Sequence, residues 1–398
     1  MKKKILIYGA GRNCKLLLKF IRNYDFEIVG IIDTYKKGMY FQKYLIRSPE
    51  EIPNFIYDEI FVLAAVYENE IIDMLEKKYK VDKNKIKSIA YVNEQYILGN
   101  FKNKDIVFIT DDTDYLNISY EELYDKTNVL VTTFLVQNKQ MEITKKNNDF
   151  KGYIIIRSHW FEIVDPHLEA IRYKYPNAKI VLLLSDMIDG SCGYLKRIKN
   201  FSVPYIKQRY DYIITYNYEE AKKYEIEFYE LPYTKSKLKD DGIREYDLFF
   251  VGNAKNRLSN IHQLYLEATK LGLKCGFWIN NVQEEEKLQN TNIIYNESLS
   301  YMQYLAFMMK SRCIVDLCQK NDKTTLRYNE AVVYNKKLLT DDSTCIHKTL
   351  YNSRFIKILP SIIDADVLKW VRQEDIVDYG YVDEFSPVRF MEYIKKLG

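Results

Sequence analysis

Short apolar runs alternate with stretches of helical periodicity along the whole chain. The first run, at residues 4–11, leads into an amphipathic stretch, and further runs end at Asp33 and at residue 66. A second series of runs begins at residue 105 and a third at residue 246. Parallel strands covered by helices produce this alternation, because each crossover between parallel neighbours is usually a helix. The pattern predicts an α/β protein made of three tandem Rossmann-like units.

Polar segments separate the three series. Residues 99–105 combine a glycine with several polar side chains, and residues 233–245 read as a polar linker. A chain of 398 residues is long enough for two or three domains. We therefore expect a Rossmann-like accessory domain at 1–99, a middle domain at 100–240 and a C-terminal domain at 241–398.

Composition excludes several classes of protein. The 59 basic and 55 acidic residues are mixed along the chain and give a net charge of +4, so no concentrated basic patch indicates nucleic-acid binding. The charge leaves open a peripheral association with the inner membrane surface. No apolar run reaches the roughly 20 residues needed to cross a bilayer, and the N-terminus does not resemble a signal peptide, so we expect a cytoplasmic protein. Six cysteines without a C-x-x-C pair argue against structural zinc.

A glycine turn follows the first predicted strand. Gly9 and Gly11 precede a helix, where such a turn lets the backbone approach a phosphate. Cys14 stands where the dinucleotide fingerprint has its third glycine, and Asp33 ends the second strand, where an acid can bind a ribose hydroxyl. Two readings stay open: a nucleotide or sugar-nucleotide site, and a Rossmann-like unit without a cofactor.

This first unit resembles the N-terminal domain of bacterial sugar O-acyltransferases that acetylate amino-sugar nucleotides. The stretches ILIYGAGRNC, IVGIID and DEIFVLAA carry the resemblance, which covers roughly the first 95 residues. The hexapeptide-repeat acyltransferase domain that follows in that group is absent from the sequence, so the resemblance does not imply acyl transfer.

A second glycine ends the strand that opens the last unit. In FFVGNAKNR, residues 249–257, Gly252 lets the backbone approach a ligand, and Lys255 or Arg257 can neutralise a diphosphate. The alternative is an ordinary strand–turn–helix with solvated basic residues.

Hydroxyls and a guanidinium precede a single acid near the end of that unit. In TTLRYNEAVVYNKKLLT, residues 324–340, Thr324 and Thr325 stand at a predicted helix start, where hydroxyls and free N–H groups can hold phosphate oxygens. Arg327 can add a bidentate contact, and Glu330 follows nearly two turns after Thr324. The alternative is an amphipathic helix with a threonine cap and a solvated glutamate.

The order of these two segments resembles the C-terminal, donor-binding half of GT-B glycosyltransferases. The likeness is greatest to bacterial enzymes that assemble capsule, lipopolysaccharide or cell-wall glycans. It covers residues 100–398 at the level of fold and residues 320–342 as a specific motif. It implies that the last two units form a GT-B pair with a nucleoside-diphosphate sugar as donor.

The resemblance also assigns roles. It places Gly252 in the loop that faces the donor, Thr324, Thr325 and Arg327 at the diphosphate, and Glu330 at the ribose. It implies no metal and no further cofactor, because amide hydrogens and arginine offset the leaving charge. Many family members have an E-x7-E spacing; here Asp322–Lys323 stands where its first glutamate belongs, which leaves retaining chemistry open.

Candidate catalytic residues lie at strand ends of the middle unit. His159 follows IIIRS and Asp186 follows VLLLS, and strand carboxyl ends face the cleft in doubly wound sheets. Either side chain can take a proton from an acceptor hydroxyl. The alternative for His159 is a partly buried imidazole bonded to a backbone carbonyl. Asp112-Thr113-Asp114 matches the metal-binding D-x-D of GT-A enzymes, but we favour an acidic loop.

The leading hypothesis is a metal-independent GT-B glycosyltransferase. It moves a sugar from a nucleoside-diphosphate sugar to a surface glycan or a lipid-linked saccharide. Two alternatives stay open: an NAD(P)-dependent oxidoreductase that uses the unit of Gly9 and Gly11, and a non-catalytic subunit that binds sugar nucleotides.

Overall fold

A computed structural model defines the fold, and it describes most of the chain. The described residues are 2–101, 103–111, 119–137, 141, 143, 145–188, 195, 198, 201–318, 325–360, 363, 365–373 and 376–398. Thr324, the acidic triplet at 112–114 and the pair at 322–323 lie outside them.

The first series of apolar runs forms a six-stranded sheet. Its order is β3-β4-β2-β1-β5-β6, with β3 antiparallel to β4 and the other pairs parallel. The central strands of a parallel sheet are buried on both faces, because other elements cover each face, and continuous apolar runs form such strands. The strands are β1 Lys3–Tyr8, β2 Phe26–Ile32, β3 Tyr40–Phe41, β4 Tyr44–Arg47, β5 Glu59–Val62 and β6 Ile86–Lys87. The helices are α1 Arg12–Lys19, α2 Glu68–Lys77 and α3 Ile89–Val92.

The second series forms another six-stranded sheet, of order β12-β11-β10-β9-β7-β8. Its described registers are parallel. The strands are β7 Ile106–Ile109, β8 Val129–Thr132, β9 Tyr153–Arg157, β10 Lys179–Leu184, β11 Tyr212–Thr215 and β12 Glu227–Phe228. The helices in the described parts of this segment are α4 Phe161–Val164, α5 Leu168–Lys174, α6 Val203–Arg209 and α7 Tyr218–Tyr224.

The third series forms a wholly parallel sheet of order β15-β14-β13-β16-β17-β18. A hydrophobic cluster covers each of its faces, one centred on Phe249 and Tyr304 and the other on Phe250 and Leu264. The strands are β13 Tyr246–Asn253, β14 Cys275–Asn280, β15 Ile294–Tyr295, β16 Ser311–Asp316, β17 Lys337–Thr340 and β18 Ile356–Ile358. The helices in the described parts are α8 Leu258–Lys270, α9 Tyr301–Met309, α10 Arg327–Val333, α11 Ala365–Trp370 and α12 Pro387–Lys395.

The predicted class, an α/β protein with three Rossmann-like sheets, is confirmed. None of the helices in the described parts of the chain is long and apolar enough to cross a membrane. Chain contacts divide the molecule into two compact units. Unit 1 contains Met1–Thr113, Leu123–Ser185 and Ser202–Ile213, and unit 2 contains Asp114–Glu122, Asp186–Phe201 and Ile214–Gly398.

Unit 1 thus joins the whole first sheet to most of the second. Asn13, in the first turn of α1, accepts a hydrogen bond from the Val136 amide at 2.9 Å and donates to the Val136 and Leu63 carbonyl oxygens at 2.8 and 3.2 Å. The Tyr24 hydroxyl bonds the Thr132 hydroxyl at 3.1 Å. These bonds satisfy polar groups at the carboxyl ends of β5 and β8, so the predicted accessory domain is packed on its neighbour.

Candidate functional site

The glycine turn of the first sheet adopts the geometry that its sequence predicts. Gly9 has φ +108°, a backbone conformation that residues other than glycine rarely adopt. A Cβ at Gly9 would lie 3.2 Å from the Ala64 nitrogen, so the turn also packs tightly against the chain after β5. Cys14 is fully buried beneath it, and burial raises the pKa of its thiol to about 12. Cys14 therefore acts as a small packing residue.

Asp33 stabilises this turn by binding the protein's own backbone. One carboxylate oxygen accepts from the Ala10 amide at 2.9 Å, and the other accepts from the Tyr35 and Lys36 amides at 2.9 and 3.1 Å. The Lys36 ammonium donates to the Ala10 carbonyl at 2.8 Å. A ribose at Asp33 would have to share a carboxylate that already holds two loops together. Gly11, in contrast, has open space on its Cβ side.

Gly252, near the end of β13, faces two guanidinium groups. A Cβ at Gly252 would lie 3.0 Å from a terminal nitrogen of Arg257 and 3.1 Å from one of Arg327. The space that the sequence assigns to a ligand is thus filled by the two arginines that the sequence predicts to bind it. Glycine is required here for close approach of side chains to the strand.

Arg257 is almost completely buried and bonds backbone carbonyls. Its guanidinium donates to the Leu317 carbonyl and, at 3.3 and 3.4 Å, to the Asn253 carbonyl. No carboxylate in the described part of the chain forms an ion pair with it. Burial, reinforced by the neighbouring Arg327 charge, lowers the pKa of Arg257 to about 10. Lys255, two residues earlier, is exposed with φ +44°.

Asp316, at the end of β16, is the counter-charge of this arginine pair. One of its oxygens accepts from Arg327 at 3.2 Å, and the other accepts from the Thr325 hydroxyl at 2.8 Å. Arg327 also donates to the Val251 carbonyl. Burial opposes the Arg327 charge, yet its pKa is raised, because Asp316 and other acidic groups favour the protonated form. The guanidinium fork predicted to hold a diphosphate is therefore engaged inside the protein.

Glu330 lies buried on the same face of α10. Its oxygens accept hydrogen bonds from the Tyr301 hydroxyl, at 2.8 Å, and from the Tyr304 hydroxyl. Burial raises the pKa of Glu330, and the two hydroxyl bonds reduce this rise. A ribose would reach the carboxylate only by displacing a tyrosine. The helix itself begins at Arg327, with Leu326 as its cap residue and no side-chain cap, so the predicted threonine cap is not formed by Thr325.

The opposite face of α10 lines a cavity of about 700 Å³ within unit 2. Three of its walls are segments that follow parallel strands: residues 216–220 after β11, 230–231 after β12 and 344–348 after β17. Strand carboxyl ends are where α/β sheets bind ligands. The lining residues are Met187, Tyr216, Asn217, Tyr218, Glu219, Glu220, Lys223, Phe228, Glu230, Leu231, Thr325, Tyr328, Asn329, Thr344, His347, Lys348 and Phe385.

This cavity combines aromatic surface with charges of both signs. Tyr218 and Phe228 meet edge to face at 5.5 Å between ring centroids. Lys348 lies 4.9 Å from the centroid of the Tyr328 ring and pairs with the buried Asp342 at 3.3 Å. Such a mixture of apolar walls and a few polar groups is typical of small-molecule sites.

Asn329 contributes a buried carboxamide to the cavity. Its nitrogen donates to the Leu231 carbonyl at 2.8 Å, and its oxygen accepts no hydrogen bond from the described residues. The side chain is only 5% exposed. An acceptor without a protein donor, on a largely buried residue that lines an open volume, indicates a position where a ligand hydroxyl or amide can donate.

The predicted donor-binding and catalytic residues do not all lie at one place. Thr325 lines the cavity, whereas the buried cluster behind it contains the buried Arg257 and Glu330 and the half-buried Gly252 and Arg327. His159 belongs to unit 1 and is half-buried in the turn after β9. Asp186 comes two residues after the end of β10 and belongs to unit 2. Neither is among the cavity-lining residues.

Sequence reasoning missed most of the cavity wall. The signals were present: Tyr216, Asn217 and Tyr218 directly follow an apolar strand, and His347 and Lys348 follow the strand KLLT. The sequence does not show that these two segments, which are more than a hundred residues apart, lie close together. The fold places both in the wall of the same cavity.

Replacing Gly252 with alanine tests the guanidinium packing. We expect a loss of about 1–3 kcal/mol in the free energy of unfolding, because the new methyl group must displace two guanidiniums held by carbonyl bonds. Chemical denaturation measures the change. Gly99→Ala is the matched control, since its Cβ would meet only an ordinary contact at 3.6 Å. Equal stability of the two variants would contradict the packing described for Gly252.

A family model matches the residues of the first sheet. Residues 1–87 match a family model described as C2185-like, N-terminal. These residues end with β6 and contain Gly9, Gly11 and Asp33. A comparison with curated proteins finds no match.

Proposed function

We propose that this protein is a glycosyltransferase whose second and third sheets are the two halves of a GT-B fold. It takes a nucleoside-diphosphate sugar into the cavity of unit 2 and transfers the sugar to a glycan or lipid-linked saccharide. The acceptor is met in the cytoplasm or at the inner membrane surface. The cavity is the observation that carries the proposal, because segments following β11, β12 and β17 meet α10 around it.

The size and chemistry of the cavity suit a nucleotide sugar. About 700 Å³ lies within the range of roughly 300–1,000 Å³ typical of small-molecule sites. The rings of Tyr218 and Phe228 offer surface for a base or a sugar, Lys348 offers a positive charge for a diphosphate, and the His347 imidazole offers a further polar contact. The Lys348 ammonium can offset the charge that develops on the leaving nucleoside diphosphate, so the proposal invokes no metal.

The buried cluster behind α10 has a supporting role in this proposal. Asp316 and the arginines fix the chain before α10, and Thr325 joins that cluster to the cavity. Arg327 and Glu330 can touch the donor only if ligand atoms replace their present partners. Their predicted contacts with the diphosphate and the ribose therefore require local rearrangement on binding.

Calorimetry on the full chain with UDP, GDP, CDP and dTDP tests the proposal. We expect one of them to bind the wild type, and Lys348→Met to weaken its affinity by about 10- to 100-fold, because it removes a charge-assisted contact. Lys270→Met on α8 is the control, since Lys270 is exposed and pairs with Glu267. Absence of binding by the wild type, or unchanged affinity in Lys348→Met, would contradict the proposal.

The same protein separates the alternatives. Turnover of a nucleotide sugar distinguishes an enzyme from a non-catalytic subunit that only binds the nucleotide. An NAD(P)-dependent oxidoreductase would instead show a change in NADH absorbance that depends on Gly9 and Gly11. We favour the cavity over the first sheet, because Asp33 and Asn13 already bond the chain's own backbone around the glycine turn.

A further inference from the structure

We propose that Glu230 is the general base that deprotonates the acceptor hydroxyl. This inference rests on the proposed glycosyl transfer and assigns the base within the same cavity. It replaces the roles that the sequence suggests for His159 and Asp186, neither of which lines the cavity.

Glu230 is held in place and still open on one side. It stands two residues after the end of β12, and one carboxylate oxygen accepts from the Thr349 amide at 2.8 Å. The other oxygen has no hydrogen-bond donor among the described residues. The next residue, Leu231, is anchored through its carbonyl to Asn329 of α10. The carboxylate is thus fixed relative to both α10 and the segment after β17.

The other two carboxylates of the cavity are less suited to this role. Glu219 is exposed on the first turn of α7. Glu220 is 3% exposed, and one of its oxygens accepts from the Ile188 amide at 3.0 Å. Glu230 is half-buried, which removes part of the water around it while leaving the carboxylate accessible to a ligand.

A short chain of contacts connects Glu230 to the cation proposed for the diphosphate. The Thr349 amide donates a hydrogen bond to Glu230. The Thr349 carbonyl accepts one from the Tyr328 hydroxyl at 3.0 Å. Lys348 lies over the Tyr328 ring. Burial raises the pKa of the Tyr328 hydroxyl, and the Glu230 charge adds to that rise, which agrees with their proximity. Glu230 and Lys348 thus belong to one wall of the cavity and are connected through Thr349 and Tyr328.

This arrangement supports a single balanced displacement. The acceptor O–H bond breaks and its proton passes to the open oxygen of Glu230. The acceptor oxygen forms a bond to the anomeric carbon, while the bond from that carbon to the phosphate oxygen breaks. The nucleoside diphosphate leaves with the electron pair, next to Lys348. No oxidant or reductant is involved, and the proton is later lost to solvent.

The isosteric variant Glu230→Gln tests the inference in the full chain. The assay measures nucleoside diphosphate released from a panel of UDP-, GDP-, CDP- and dTDP-hexoses, with water as acceptor. We expect release to fall about 100-fold or more, while the Kd for the matching nucleoside diphosphate changes by less than about threefold. The amide oxygen can still accept from Thr349, so the fold is kept. Glu225→Gln, outside the cavity, is the control and keeps wild-type turnover.

Two further readouts separate a base from a structural residue. Azide needs no deprotonation, so it should restore glycosyl transfer in Glu230→Gln by about tenfold or more while leaving the wild type nearly unchanged. The acidic limb of the wild-type pH–rate profile should disappear in the variant. Equal turnover, loss of nucleotide binding, or failure of azide rescue would each overturn the role of Glu230. A wild type that binds no nucleoside diphosphate would overturn the proposed function together with this inference.

Discussion

Replacing Asp316 with asparagine is expected to lower the free energy of unfolding by about 3–5 kcal/mol. Asp316 is 3% exposed and is the carboxylate paired with Arg327, which lies next to Arg257 over Gly252. The asparagine keeps the shape and can still accept from Thr325, but it leaves the half-buried Arg327 without its ion-pair partner and the buried Arg257 beside an uncompensated charge. Denaturant unfolding at neutral pH measures the loss.

A surface pair provides the control for this prediction. Glu267 pairs with Lys270 at 2.7 Å on α8, and both side chains are exposed. Glu267→Gln should change the free energy of unfolding by less than about 1 kcal/mol. If Asp316→Asn lowered the free energy of unfolding as little as this control does, the arginine pair would not depend on Asp316. The role given to Asp316 in the buried cluster would then be wrong.

Replacing Tyr304 with phenylalanine is expected to cost about 2–4 kcal/mol at neutral pH. The change removes one of the two hydroxyl donors of Glu330, a carboxylate with 1% exposure. Tyr351→Phe is the control, because the Tyr351 hydroxyl donates no hydrogen bond within the described residues, and it should change stability by less than about 0.5 kcal/mol.

The cost of Tyr304→Phe should depend on pH in a defined direction. In the folded state the pKa of Glu330 is raised above its ordinary value of 4.5. The folded protein therefore binds a proton on this carboxylate more tightly than the unfolded chain does. Its contribution to stability is therefore present below pH 4.5 and is lost as pH rises through the folded pKa. The free energy of unfolding of Tyr304→Phe should be closest to that of the wild type at acidic pH, where the Glu330 carboxyl group is protonated in both proteins.

A double variant checks that the effect acts through Glu330. In Tyr304→Phe/Glu330→Gln no buried carboxylate remains to be satisfied, so the added cost of the phenylalanine should fall to about 1 kcal/mol or less. A cost that stays unchanged and independent of pH would show that Tyr304 stabilises the core by packing alone.

The three sheets were predictable because strand periodicity is a local signal. Runs such as IVFI in β7 and KILIY in β1 are buried on both faces, and the helices between them carry one apolar side. The conformation of Gly9 was also predictable, since only a tight turn explains glycine between that strand and α1. These features depend on residues close together in sequence.

The partners of polar side chains were not predictable in the same way. Asp33, Arg327 and Glu330 have the residue types that bind a nucleotide, yet each bonds the protein itself. Asp240 of the polar linker accepts from Lys336, which is 2% exposed, so the linker is packed on the third sheet. Sequence gives the chemistry of a side chain, whereas long-range packing decides what that chemistry is used for.

A crystal structure of the full chain with its best-binding nucleoside diphosphate would locate the donor site. We expect the nucleotide in the cavity of unit 2, with its phosphates near Lys348 and His347 and a polar contact to Asn329. A nucleotide bound at the glycine turn of the first sheet, with the cavity walls closed on each other, would contradict it.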